Sequence, residues 1–340
     1  MGEKRLKRNS ILGLWKFIAA LLILGHHANI FWSDGNYPAH GGYIYVEFFF
    51  LLSGYYFMRY LEENKAYGGG YIYVWRKIKK LFPYTTIAFI IHYILECIYS
   101  GSIKGVLKTI WKLPLEILYL TNLHITSSRM GQLWYIAAML FCLFLLTYIY
   151  SRYEDFYKNV LIWVFPVLWY ACTYMTYHCI GNRGVFLDLF RAAANLLLGG
   201  LIYIGISKTQ ALPMRTNICR YMATLVEWSA FLLSVFLTYK FYRKDYDFFI
   251  VFLFIICIYI FQAGYACKIS SRFLDWLGEI STTIYIVHIT VRMGIQNWFS
   301  YLDLSDKYLL YYSVCLIYAV ILWKVTPNIT QFIKRILISK

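Results

Sequence analysis

Residues 11–27 read Ile11-Leu12-Gly13-Leu14-Trp15-Lys16-Phe17-Ile18-Ala19-Ala20-Leu21-Leu22-Ile23-Leu24-Gly25-His26-His27. The run holds a single Lys and ends on two histidines. Otherwise it is apolar, and with its continuation to residue 32 it is long enough to cross a bilayer as a helix, which takes about 20 such residues. Similar blocks recur to the end of the chain. The sequence predicts spans at 11–32, 42–61, 81–99, 131–150, 159–177, 186–206, 220–241, 247–266, 274–300 and 307–325. The expected fold is therefore all-α: a polytopic helical membrane bundle of about ten transmembrane helices. It is expected to form one membrane domain over residues 1–340, with no appended soluble domain.

Composition agrees with that assignment. Of 340 residues, 60% are apolar and 15% charged, with a mean hydropathy of +0.54. A soluble domain carries about 25% charge and about 45–50% apolar residues, and a disordered chain is poor in apolar residues. Both classes are excluded. The net charge of +16 does not point to nucleic acid, because the Lys and Arg fall mostly between apolar blocks, where a topology signal belongs. Many of the 34 Tyr and 11 Trp stand at block ends, as interfacial aromatics do. The eight Cys are scattered without a Cys-x-x-Cys pair, so they read as apolar fillers and no metal site is expected. The residues after Leu24 make a poor cleavage site, so the first span is expected to stay uncleaved.

Orientation follows from the cations. Of the 33 Lys and Arg, 21 fall in segments on the side of the N-terminus and 9 on the other. Cytoplasmic loops carry the excess, so both termini are expected in the cytoplasm. The longest gap, 100–130, contains Pro114 and an amphipathic stretch from Val106 to Leu123, read as interfacial or re-entrant. The remaining cations, Lys16, Arg191 and Arg292, lie inside spans. Ionisable groups there are costly and mark function by default.

Depth can be counted at about 1.5 Å per residue. His27, Glu47 and Arg191 each lie five residues from the outer end of their spans, and His288 lies in the outer half of the ninth. A histidine, a carboxylate and a guanidinium at one depth suit proton transfer and anion stabilisation. Plainer readings stay open: interhelical hydrogen bonding for His27, an interfacial Glu47, an outward-reaching Arg191, a packing role for His288. His92 and Glu96, one turn apart, suit a local pair as well as a site, and Glu227 is similar. Lys16 and His27, 11 residues apart, share a helix face to within about 20°, while His26 points elsewhere. Their axial separation of about 16 Å suits a long ligand with a phosphate end at Lys16 and a reactive end at His27; the alternative is a Lys16 that reaches the headgroups. Arg76-Lys77-Ile78-Lys79-Lys80-Leu81-Phe82-Pro83 is either a topology signal, a contact for anionic lipid, or a binder of a phosphorylated donor.

Four stretches resemble the acyltransferase-3 family of integral membrane O-acyltransferases. The first is Leu14 to His27. The second is Val46-Glu47-Phe48-Phe49-Phe50-Leu51-Leu52-Ser53-Gly54-Tyr55. The third is the basic run before Pro83, which is expected to open the third span. The fourth is Asp275-Trp276-Leu277-Gly278-Glu279-Ile280-Ser281 continuing to Ile284-Tyr285-Ile286-Val287-His288. Leu133-Trp134-Tyr135 is a weaker echo. The motifs come in family order and extend from about residue 5 to 335. Lys16 stands where the family commonly has Arg; it keeps the charge and loses the planar fork.

The resemblance implies an O-acyltransferase of the plasma (cytoplasmic) membrane that moves an acyl group, usually acetyl from acetyl-CoA, to a hydroxyl of a surface glycan or lipid-linked sugar. It implies His27 as catalytic base and Glu47 as its acidic partner; on chemical grounds, apart from the resemblance, Arg191 or another donor is the candidate for stabilising the oxyanion. Lys16, Arg76, Lys77 and Lys80 would bind the donor. His26, Ser53, Gly54, Trp134, Ser281, Tyr285 and His288 would line the site. The expected partners are the lipid bilayer, acyl-CoA and the glycan acceptor, with no permanently bound cofactor and no nucleic acid; a homo-oligomer stays open. No Gly-x-Ser-x-Gly motif occurs, so direct transfer is favoured over an acyl-serine, with an acyl-histidine as the alternative. The competing class is a multi-span small-molecule transporter of related fold, against which stand the lack of an inverted repeat and of a broken helix pair.

Overall fold

The computed structural model describes residues 9–32, 37–64, 69–100, 107, 110–120, 129–181, 184–209, 216–240 and 243–338. Several cations used in the orientation count, namely Lys4, Arg5, Lys7, Arg8, Lys65, Lys104, Lys108, Arg183, Arg215 and Lys340, lie outside these residues, as does most of 106–123 beyond 110–120. Among the described residues there is no strand. The long helices are α1 (Ser10–His27), α2 (Tyr45–Glu63), α3 (Gly69–Ser100), α4 (Trp134–Arg152), α5 (Glu154–Tyr177, with a π-helical turn at Tyr157–Leu161), α6 (Val185–Thr209), α7 (Asn217–Tyr239), α8 (Asp247–Ile260), α9 (Arg272–Trp298) and α10 (Leu304–Ile338).

Each predicted segment falls on one of these helices, but seven of them are long and apolar enough to cross a membrane: α1, α3, α4, α5, α6, α7 and α10. The other three have physical reasons to fall short. α8, at 14 residues, is about 21 Å long against a hydrocarbon core of about 30 Å. α2 carries Glu47, Arg59, Glu62 and Glu63, and α9 carries Arg272, Asp275, Glu279 and Arg292. These charges dilute the apolar signal on the two helices that supply much of the site.

α3 corrects the sequence reading. Pro83, expected to open the third span, lies inside a helix that starts at Gly69. The run Arg76 to Lys80 is therefore helical. At 32 residues α3 is about 48 Å long, longer than the hydrocarbon core, and its basic first half has room outside it. Between α3 and α4, the short helix Leu113–Ile117 turns Glu116 inward, where its carboxylate accepts the Arg129 amide at 2.7 Å. Ile110, Trp111 and Leu118 point outward, the inverted polarity of a segment lying against lipid.

Two close helix crossings organise the bundle. At the start of α1, the Asn9 side chain caps Ile11 and Leu12 and also donates to the Phe261 carbonyl at 3.1 Å. Ser10 donates to Asp275 at 2.9 Å. Immediately above, a Cβ on Gly278 would lie 2.6 Å from the Gly13 Cα, so α1 and α9 touch backbone to backbone, as small residues permit. α2 and α6 meet the same way: a Cβ on Gly54 would overlap the Leu196 carbonyl, and one on Gly199 the Leu51 carbonyl. Further along, His27 meets His288, so α1 and α9 run parallel. α2 and α6 are parallel too, with Glu47 on Arg191 and Gly54 on Leu196. Parallel pairs at these positions in the chain are what alternating crossings require. Outward faces carry Trp163, Val167, Leu168 and Met175 on α5 and Leu225, Leu232 and Phe236 on α7. Apolar surface on that scale needs lipid as its solvent.

Candidate functional site

A cavity of about 500 Å³ opens among α1, α2, α3, α4, α9 and α10. Its cations are Lys16 from α1 and Lys77 and Lys80 from α3. Ser53 of α2 accepts from Lys77 Nζ at 3.2 Å, and Met139 Sδ lies 3.6 Å from the same atom. Ser281 and Tyr285 of α9 also line it, as do Tyr73, Tyr84, Tyr135, Glu279 and Trp323. The Ser281 hydroxyl donates back to the Gly278 carbonyl at 2.9 Å. Three of the four residues expected to bind the donor thus share one chamber. Arg76 does not: it is exposed on another face of α3, with its guanidinium over the Tyr60 ring at 6.0 Å. Helical geometry is the reason, since Arg76 is one residue, or about 100°, from Lys77.

Toward the C-terminal end of the α1–α9 pair, the rings of His27 and His288 lie 4.8 Å apart, centroid to centroid. The His288 Nδ1 contacts its own helix, at 2.7 Å from the Tyr285 carbonyl. Arg292, one turn further on, donates to the His27 carbonyl at 3.4 Å. His26 points differently, as expected. Its Nδ1 meets the His40 carbonyl at 2.7 Å and its ring faces Tyr43. Gly42 brings this loop against α1: a Cβ there would overlap the Leu22 carbonyl.

Glu47 and Arg191 form a second, separate cluster. Arg191 Nε donates to Glu47 Oε1 at 2.5 Å, and the two side chains are 2% and 0% exposed. The Arg191 guanidinium also sits 5.1 Å from the Trp134 ring. The single layer expected from counting residues is thus two pairs, His27 with His288 and Glu47 with Arg191. Equal depth along a helix does not fix azimuth, and Glu47 faces α6. The two pairs are the ends of a path of ring contacts: Trp134 to Phe50 at 6.0 Å, Phe50 to Tyr135 at 4.5 Å, Tyr135 to Tyr285 at 5.6 Å, and Tyr285 to His288 at 5.6 Å. Tyr285 and Tyr135 also line the cavity, so this wall joins the cationic chamber to the histidines.

His92 and Glu96, for which a local pair and a site were both open, do not pair with each other. His92 meets Thr290 Oγ1 at 3.0 Å and Glu96 pairs with Arg129. Glu227 is buried. Sequence reasoning gave no role to Gln132, which donates to the Ile286 carbonyl at 3.1 Å and accepts from Tyr285 on its own carbonyl. A lone Gln at a span entrance carries no sequence signal. Arg292 did carry one, as a cation inside a span.

The family model described as an acyltransferase domain, that of the acyltransferase-3 family, matches residues 9–324. No curated protein and no solved structure matches the chain.

Proposed function

The chain belongs to the acyltransferase-3 family, and from that premise we propose that it is an O-acetyltransferase. It takes acetyl from cytoplasmic acetyl-CoA and places it on a hydroxyl of a cell-surface glycan or lipid-linked sugar. In this reading it is a multi-pass protein of the plasma membrane with ten spans and both termini in the cytoplasm.

One observation carries the reading: a lysine-lined chamber beside a histidine pair, joined to it by Tyr285. Coenzyme A ends in phosphates and carries its thioester at the far end of a long arm. Lysines at Lys16, Lys77 and Lys80 suit the phosphates, as charge-assisted hydrogen bonds are the strong ones. The separation from Lys16 to His27, about 16 Å along the axis, suits the arm.

A sugar hydroxyl is a poor nucleophile and needs a base. His27 takes the hydroxyl proton as the oxygen attacks the thioester carbonyl. The carbonyl carbon becomes tetrahedral, with negative charge on its oxygen. Arg292, already in contact with His27, is the guanidinium we assign to that charge, in place of Arg191, whose Nε is taken by Glu47. Collapse breaks the C–S bond, and His27 returns the proton to the departing thiolate. Glu47 then acts as a positioning residue: its pair with Arg191 braces α2 against α6 and holds the wall that runs through Trp134. Gly54 permits that approach.

The test is incorporation of radiolabelled acetyl from acetyl-CoA into envelope glycan, using membranes that contain the full chain. Incorporation that depends on His27 supports the reading. Membranes that transfer no label, or that transport a small solute instead, overturn it.

A further inference from the structure

His288 is fully buried. Its Nδ1 lies 2.7 Å from the carbonyl of Tyr285, three residues back on the same helix. A carbonyl oxygen can only accept, so Nδ1 is the nitrogen that carries the proton. In the neutral ring, Nε2 is then a bare lone pair. It is buried without a hydrogen-bond partner. A polar atom in that state costs free energy in the empty protein. The ring next to it is His27, 4.8 Å away, and Tyr285, which lines the cavity, flanks it at 5.6 Å.

From this we propose that His288 is a substrate-contacting residue: its Nε2 accepts a hydrogen bond from a second hydroxyl of the acceptor, next to the reacting one, and so leaves the proton of the reacting hydroxyl directed at His27. The inference rests on the acyltransferase reading and names the group that receives the acceptor. The two rings divide the work. His288 is tied through Nδ1 to its own helix, which fixes the direction of Nε2, and it serves as the hydrogen-bond acceptor. His27 takes the proton as the C–O bond forms and gives it to the thiolate as the C–S bond breaks. Acceptors are therefore molecules that carry a second hydrogen-bond donor beside the reacting hydroxyl, which fits a sugar with a neighbouring hydroxyl and excludes an isolated alcohol as a good substrate.

The experiment compares His288→Asn with His288→Gln in the full chain, in membranes that contain the native acceptor. An Asn amide keeps the donor near the Nδ1 position and deletes Nε2; a Gln amide places an oxygen near the Nε2 position. Three quantities are read: labelled acetyl incorporated into glycan, affinity for acetyl-CoA, and the unfolding temperature in detergent. The expected result is that His288→Asn lowers incorporation about 10- to 100-fold, the loss expected for one hydrogen-bonding group in a buried site. Donor affinity and unfolding temperature stay near those of the parent, and His288→Gln recovers a large part of the incorporation. Full incorporation by His288→Asn overturns the inference. So does an equal loss in both variants with a lowered unfolding temperature, which marks a packing residue. A parent chain that incorporates no label defeats the acyltransferase reading itself, and is told apart from both by that control.

Discussion

Replacing Glu47 by Gln tests what the buried pair does. Arg191 and Glu47 meet at 2.5 Å with almost no exposure, and Gln removes the carboxylate while keeping its shape. The Arg191 charge then stays buried without its hydrogen-bonded counter-ion and keeps only the field of Asp188, one turn back on α6. Breaking such a pair from one side costs about 3–5 kcal/mol, because a charge is stranded rather than an attraction merely lost. That is a large part of the about 5–15 kcal/mol that holds a typical protein folded. Removing both charges with Glu47→Gln and Arg191→Met takes the pair out whole, so the double variant should recover most of the loss and show a coupling of about 2 kcal/mol or more. The assay is equilibrium unfolding in detergent micelles, with acetyl transfer measured on the same preparations. A positioning role predicts that transfer returns with stability in the double variant. If Glu47→Gln costs less than about 1 kcal/mol, the pair does not brace the bundle. If the double variant is stable and inactive, Glu47 serves the chemistry directly.

His27→Ala should lower transfer by about 10²–10⁴, the usual worth of a general base, while His26→Ala, whose ring serves the His40 loop, should retain a substantial fraction; the reverse order would put the site on the wrong face of α1. Lys77→Gln should raise the KM for acetyl-CoA about 10-fold or more, the scale of a charge-assisted contact, and Arg76→Gln should leave it near the parent value; steady-state kinetics at saturating acceptor separates them. Gly54→Leu should abolish membrane-inserted, folded protein, since its side chain meets the Leu196 backbone, and this is read by protease resistance of the membrane fraction. An engineered cysteine at position 2 or 339 should resist an impermeant thiol reagent in intact cells and react in inverted vesicles; labelling of intact cells would overturn the cytoplasmic termini.

Apolar block length made the helices legible, because hydrocarbon thickness sets a length that composition alone reveals. The blocks were less informative on α2 and α9, where Glu47 and Glu279 sit among apolar residues. Depth along a helix could be counted from the sequence, and it brought His27 and His288 to one level correctly. Azimuth between helices could not be counted. Glu47 was assigned to His27 and meets Arg191 because only the crossing of α2 with α6, set by Gly54 and Gly199, decides which helix a side chain faces. The same-face relation of Lys16 and His27 was legible, since it lies within one helix; both face α9, with Lys16 beside Gly278 and Ser281 in the cavity and His27 on His288. Pro83 misled the reading of α3, because a proline inside a long helix looks the same in sequence as one at its start.

The Gly13–Gly278 contact fixes where insertions and deletions can be tolerated. It locks α1 to α9 at one end, and the histidine rings meet at the other. One residue added between Gly13 and His27 would leave the glycine contact intact but turn His27 by about 100° and advance it about 1.5 Å. A ring 4.8 Å from its partner cannot absorb that turn. The same holds between Gly278 and His288. Length variation compatible with a working site is therefore confined to the connections, such as residues 28–44 and 101–129, while the 13–27 and 278–288 intervals act as two rulers that must be cut to a matched pair of lengths.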